Sequence, residues 1–253
     1  MTMNLSASSP LASHERPALR PAQPTRRVVD APTRMFHWLF ALCFAGAYLS
    51  GDSERLRLVH VVLGYSMAGL LVFRLLYGLF GPPQARLSLL WTRVCNAPGW
   101  LLSLKLALQQ RWQGDTAQTR SVNWRQGQGI VMTAAILALL LSVLPLTASG
   151  YATYNDWGGE WLEELHEAVG EFMLVLVLLH VGMIAGLSLL RGRNLAQAML
   201  TGRQPGAGPD LARRNHGWLA LLLLVAVLSY CGWEWQQAPA TAMSFSSQQS
   251  DDD

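Results

Sequence analysis

The residues of this chain best suited to chemistry are its histidines, six in all. Residues 166–180 read HEAVGEFMLVLVLLH, a run apolar enough for lipid with a histidine at each end. At 1.5 Å of rise per residue the two are about 21 Å apart along a helix, and about 40° apart around its axis. They share one face, near opposite edges of a hydrocarbon layer roughly 30 Å thick. Neutral imidazole is a ligand for transition metals, a proton carrier, or a polar anchor at a membrane surface. His37 and His60 stand near the ends of two other apolar stretches, so the question is whether the four meet.

The elements that must position them are membrane spans. Hydrophobic residues make up 51% of the 253 and charged residues only 14%. Charge-free windows run over 35–51, 58–73, 126–155, 172–190 and 215–233. A spanning helix needs about 17–25 such residues. The second window gains that length if Arg74 is tolerated and the span continues to Phe80. The composition therefore predicts an all-α integral membrane bundle with five spans, at about 35–51, 58–80, 129–150, 161–190 and 215–233. Residues 1–28, rich in Pro, Ser and Ala, are expected to be a disordered lead-in that contains His14. Residues 29–233 form the transmembrane domain and 234–253 a polar tail. No signal-peptide core occurs in the first 34 residues, so the N-terminus is expected to be retained.

Basic residues fix the predicted orientation. Sixteen of the 19 Lys and Arg fall before the first span, between the second and third, or between the fourth and fifth. The N-terminus is then cytoplasmic and the C-terminus external, as in a multi-pass protein of a bacterial inner membrane. The net charge of +3 follows from this asymmetry and gives no support to nucleic-acid binding. Acidic residues gather on the external side, a separate feature that would steer a basic partner. Within the loop after the second span, GWLLSLKLALQQRW has the character of a helix lying on the membrane surface. Pro145 is expected to kink the third span. Cys43, Cys95 and Cys231 form no C-x-x-C pair, so neither covalent haem attachment nor an iron–sulfur site is supported.

Threading the chain through the bilayer sorts the histidines by depth. His37 with His180 lies near the inner surface and His60 with His166 near the outer one. Two pairs at two depths suit the axial positions of two stacked haems. The second and fourth spans also share a pattern: His60, Gly64, Met67 and Arg74 on one face, His166, Gly170, Met173 and His180 on the other. Glycine one turn from a ligand leaves room for a flat macrocycle, and methionine fills an irregular gap. Gly51 is small at the depth of the outer pair. Arg74, within a span, carries an insertion cost of about 2.5–3.5 kcal/mol and needs a counter-charge, which a haem propionate would supply. Arg34, one turn before His37, is placed for the same role. His216, at the start of the fifth span, has no pairing partner and is read as an anchor.

R-M-F-H-W at the first span, H-V-V-L-G-Y…F-R in the second and the paired histidines of the fourth resemble the bacterial cytochrome b561 family, which includes the cytochrome b subunits of nickel–iron hydrogenases. The likeness covers about residues 27–200. It implies a four-helix core holding two b-type haems, with His37/His180 inner and His60/His166 outer, and a fifth span beyond that core. It further implies electron exchange between the quinone pool and a periplasmic partner such as a c-type cytochrome or hydrogenase. Two other uses of the same histidines remain: a stand-alone superoxide- or small-molecule:quinone oxidoreductase, and a transition-metal carrier without haem.

Overall fold

The computed structural model describes residues 24–113 and 122–237. The lead-in through residue 23, with His14, and the tail from residue 238 lie outside the described residues, as does Asp115. The described part is helical apart from one short antiparallel ladder: β1 (Thr25–Arg27), α1 (Ala31–Ser50), α2 (Arg57–Phe80), α3 (Ser88–Cys95), α4 (Ala97–Trp112), α5 (Trp124–Tyr154), α6 (Glu160–Arg191), α7 (Gln197–Thr201), β2 (Arg203–Pro205) and α8 (Gly217–Gln237).

Long-range contacts give the directions. α1 and α2 are antiparallel, joined at one end by Asp30 and Tyr77 and at the other by Ala47 and His60. α5 and α6 form a second antiparallel pair, with Ser149 beside His166 at one end and Gln128 bonded to Arg191 at the other. Tyr65 of α2 meets Tyr151 of α5, which joins the pairs. α8 returns alongside α1 and α2, where Ser66 and Cys231 approach at 3.8 Å. One end of the bundle, with the start of α1 and the end of α6, gathers Arg26, Arg27, Arg34, Arg191, Arg193 and Arg203. The other, with the start of α6, carries Glu160, Glu163 and Glu164. These are called the basic and acidic ends below.

The core draws on every long helix. Phe36, Leu39, Cys43 and Phe44 recur at helical spacing on α1 and meet Met67, Leu70 and Leu71 of α2, Val143 of α5, Met173 of α6 and Leu223 of α8. Outside this core the large side chains point outward. Leu49, Phe80 and Leu189 are 82%, 82% and 83% exposed, as residues facing lipid are. Four described helical stretches are long and apolar enough to cross a membrane: 54–80, 124–154, 160–191 and 217–237. The five spans expected are therefore four by length and composition. α1, of 20 residues, falls outside that set because Arg34 and His37 sit in its first two turns. It is nonetheless packed along α2 for its full length.

The structure corrects the sequence reading in two further places. Residues 25–27, expected in a disordered lead-in, form β1 and pair with β2 in the register Thr25↔Pro205, Arg26↔Gln204, Arg27↔Arg203. Asp210 holds this ladder by accepting from the Arg27 backbone N–H and lying 4.0 Å from Arg203. Val28 and Val29 both donate to the Gly202 carbonyl. A Cβ on Gly202, at φ +77°, would meet the Val29 carbonyl at 2.8 Å, so only glycine suits this closure. The third span extends to Trp124 and Tyr154, well past 129–150, and remains helical through Pro145. The helix expected at GWLLSLKLALQQRW is α4, which begins at Ala97.

Asp30 fixes the basic end. It is 1% exposed, accepts the Thr33 N–H as the N-cap of α1, and accepts the Tyr77 hydroxyl at 2.7 Å. Arg74, one turn earlier on α2, lies within electrostatic range of Asp30 and donates to the Ala85 carbonyl at 2.9 Å. Replacing Asp30 by Ala removes a cap worth about 1 kcal/mol and strands the Tyr77 hydroxyl, at about 1–3 kcal/mol more. Thermal unfolding of the detergent-solubilised protein should therefore begin at clearly lower temperature in Asp30→Ala, with Arg213→Gln unchanged; equal midpoints would contradict the role given to Asp30.

Candidate functional site

Of the two depth pairs of histidines, His60 and His166 meet ring to ring, and His37 and His180 lie within electrostatic range of each other. At the acidic end, the rings of His60 and His166 have centroids 5.8 Å apart, with planes inclined at 76°. At the basic end, His37 lies within electrostatic range of His180. All four rings are half-buried.

Helix ends determine how the first pair is held. Near the last turn of α1, the Gly51 N–H turns to the Tyr48 carbonyl rather than to Ala47. The Ala47 carbonyl is one of the acceptors that a helix terminus leaves over. His60 Nδ1 reaches it at 2.8 Å. On the opposite side, His166 Nδ1 lies 3.0 Å from the Leu146 carbonyl and 3.3 Å from Ser149 Oγ. A carbonyl can only accept, so each Nδ1 carries the proton and each Nε2 keeps its lone pair. That is the tautomer required of a metal ligand whose other nitrogen is oriented by a backbone acceptor. The second pair differs: His37 Nδ1 and His180 Nδ1 are buried with no hydrogen-bond partner among the described residues.

The glycines and methionines sit around these pairs. No heavy atom lies within 4 Å of a Cβ built on Gly64, and only Leu146 Cδ1, at 3.8 Å, approaches one on Gly170. Gly51 lies against His60, whose Cε1 would be 3.7 Å from a Cβ there. Met67 and Met173 are 1% and 0% exposed, in the core between the two levels. Arg74 has the protein partners already described, so its burial does not require a bound anion. Arg34 donates through Nη1 to the Leu200 carbonyl, and its Nε is buried without a partner. His216 stands apart, starting α8 with its carbonyl accepting from Leu219 and Ala220.

Four contributors escaped the sequence reading: the carbonyls of Ala47 and Leu146, the Ser149 hydroxyl, and Gly150. A backbone carbonyl leaves no trace in residue type. The Ser-Gly pair at 149–150 was a legible signal, a small and polar surface at the depth of His166. A Cβ on Gly150 would stand 2.8 Å from His166 Cε1 and 3.0 Å from its Nδ1. In chemical terms, the acidic-end level offers two imidazole donors. No three or more His, Cys, Asp or Glu side chains converge on a metal position among the described residues. Two imidazoles so placed are a donor set that would suit an iron held in a macrocycle.

The crowding at Gly150 generates a stability test. Gly150→Ala must push the His166 ring from its carbonyl, and such overpacking costs about 1–3 kcal/mol. Gly186→Ala meets nothing within 4 Å on α6, and a helix-interior glycine gains about 0.5–1 kcal/mol on becoming Ala. Helical unfolding followed by circular dichroism should shift in opposite directions for the two. A shift of the same sign in both would contradict the close approach.

No curated protein and no solved structure matches the chain. The family described as prokaryotic cytochrome b561 matches residues 28–202, a stretch that contains all four paired histidines and both pairs of long antiparallel helices. The chain belongs to the prokaryotic cytochrome b561 family, and is thus a multi-pass membrane protein that binds b-type haem and serves transmembrane electron transfer.

Proposed function

We propose that the chain binds two b-type haems, one between His37 and His180 and one between His60 and His166. In this reading it carries electrons across the bacterial inner membrane between the quinone pool and a periplasmic redox protein. The N-terminus is cytoplasmic, so the basic end faces the cytoplasm and the acidic end the periplasm. The observation that carries this reading is the facing of His60 and His166. Their ring centroids are 5.8 Å apart on two separate helices, with each Nδ1 engaged by a backbone carbonyl and each Nε2 left as a donor.

When bound, haem supplies a one-electron iron couple in a medium of low dielectric. The protein's part is to hold, orient and exclude. His60 and His166 are aimed by the carbonyls of Ala47 and Leu146, which fixes Nε2 as the donor atom. Held by two imidazoles at each level, the group would supply electron transfer and not binding of oxygen or another small ligand. Gly64, Gly170 and Gly51 keep side chains away from the macrocycle edge, and Met67 with Met173 closes the space between the levels. Arg34 is the cation with a free buried nitrogen near the His37 level, so it is the better placed of the two arginines for a propionate. Arg74 belongs first to Asp30, Tyr77 and Ala85.

The acidic end favours a basic partner. Glu160, Glu163, Glu164, Glu167 and Glu171 extend over the first three turns of α6, beside the His60/His166 pair. A charged face of this kind raises association rates by long-range attraction that added salt weakens. A soluble c-type cytochrome or a hydrogenase electron-transfer module with a basic face has the required chemistry.

Alanine variants of the four histidines test the pairing. Losses should match in pairs: His37→Ala and His180→Ala remove one component of the reduced-minus-oxidised spectrum, His60→Ala and His166→Ala the other. Crossed losses, or a variant with both components intact, would sink the assignment. Reduction of a basic c-type cytochrome by the reduced protein should slow as ionic strength rises, and a flat dependence would remove the steering role of α6. Turnover of superoxide with quinone by the purified protein, with no protein partner present, would instead favour a stand-alone superoxide:quinone oxidoreductase.

A further inference from the structure

We propose that a cavity between α3 and α5 at the basic end binds the phosphate of an anionic phospholipid. The cavity has a volume of about 350 Å³ and is lined by Arg93, Asn96, Arg125, Gln126, Gly129 and Ile130. Arg93 lies in the last turn of α3 and Arg125 in the first turn of α5, so the two guanidinium groups come from separate elements and converge. A guanidinium presents donors in a planar fork that matches phosphate oxygens. The amides of Asn96 and Gln126 add neutral donors between them.

Among the described residues no carboxylate faces this pair of arginines. Arg203 pairs with Asp210, and among the described residues neither Arg93 nor Arg125 has a carboxylate partner. No acidic residue occupies the first turn of α5, so Arg125 adds to the positive end of the helix instead of offsetting it. No Asp or Glu occurs anywhere between residues 88 and 112. Two exposed guanidinium groups lining one cavity offer a paired donor surface to an anion.

Depth identifies that anion as a lipid. Trp91 on α3 and Trp124 on α5, two residues and one residue before the two arginines, are 66% and 62% exposed, and tryptophan side chains favour the headgroup zone. Gly129 and Ile130 line the cavity on its apolar side, at the start of the charge-free stretch 126–155 that faces hydrocarbon. Cations above and an apolar surface below reproduce the order of a phospholipid, phosphate above acyl chain. The wall is fixed as well. Trp100 Nε1 donates to the Asn123 carbonyl at 3.1 Å, and the Trp100 ring lies over Gly127, where any Cβ would displace it. α4 therefore clamps the beginning of α5 while leaving the two arginines unengaged.

Native mass spectrometry of the full chain, after exchange with vesicles of phosphatidylglycerol or of phosphatidylcholine, tests this. Wild-type protein should retain phosphatidylglycerol in preference to phosphatidylcholine. Arg93→Gln and Arg125→Gln should each lower that retention about tenfold, the size of one lost charge-assisted contact. Arg213→Gln, an exposed basic-end arginine outside the cavity, should leave it unchanged. Circular dichroism reports whether each variant is folded; should either fail to fold, Arg93→Lys and Arg125→Lys, which keep the charge but lose the fork, should still weaken retention. Equal retention of the two lipids, undiminished retention in both Gln variants, or the same loss in Arg213→Gln would overturn the proposal. Displacement of the lipid by inorganic phosphate at equal affinity would assign the cavity to free phosphate and overturn it too.

Discussion

An imidazole placed in a lipid-facing bundle has one polar N–H for which no water is at hand, and the helices must supply its acceptor. The rest of the His60/His166 site depends on that constraint. Ala47 and Leu146 provide the acceptors, and each is a main-chain carbonyl within a helix rather than a side chain free to rotate. The ring orientation is thereby set by where α1 ends beside α2, and by how closely α5 approaches α6 at Gly150. The ligand geometry is a property of helix packing. Changes to the bundle, even far from the rings, act on the donors through these two bonds.

The basic end is organised differently. His37 and His180 have buried Nδ1 atoms without partners, whereas Asp30 nearby is saturated with them. Asp30 caps α1 and receives Tyr77, so it fixes the start of α1 seven residues before His37. The level of His37 is set through the helix rather than through its own ring. This leaves the two levels with unlike electrostatic surroundings, one tuned by carbonyl dipoles and one by a buried acid and nearby guanidinium groups. If each level holds a haem as proposed, the two would differ in potential, since hydrogen bonding and nearby charge are the protein's means of tuning iron.

The sequence made the long helices legible because charge-free length is a strong signal in lipid, but it blurred their ends. Trp124 and Tyr154 extend the third span because polar and aromatic residues continue a helix beyond the hydrocarbon edge, where hydropathy no longer reports it. β1 was missed since three residues, two of them arginines, carry no alternating pattern; its stability comes from Asp210 and Gly202, nearly two hundred residues away. The expected pairing of histidines by depth rested on helix rise and on threading alternate spans through the bilayer. The acceptors could not, because a carbonyl at Ala47 looks like any other in sequence. Arg74 was read as lacking a counter-charge because Asp30 and Ala85 reach it only in the folded bundle.

The central claim is that two imidazole pairs each hold one iron porphyrin. Its most direct test is the ratio of haem to polypeptide in the purified oxidised protein, measured together with the spin state of the iron. The account predicts two haems for each chain, both low-spin, as two nitrogen ligands on each iron require. A ratio of one or less, or a high-spin iron with an open axial position, would contradict it.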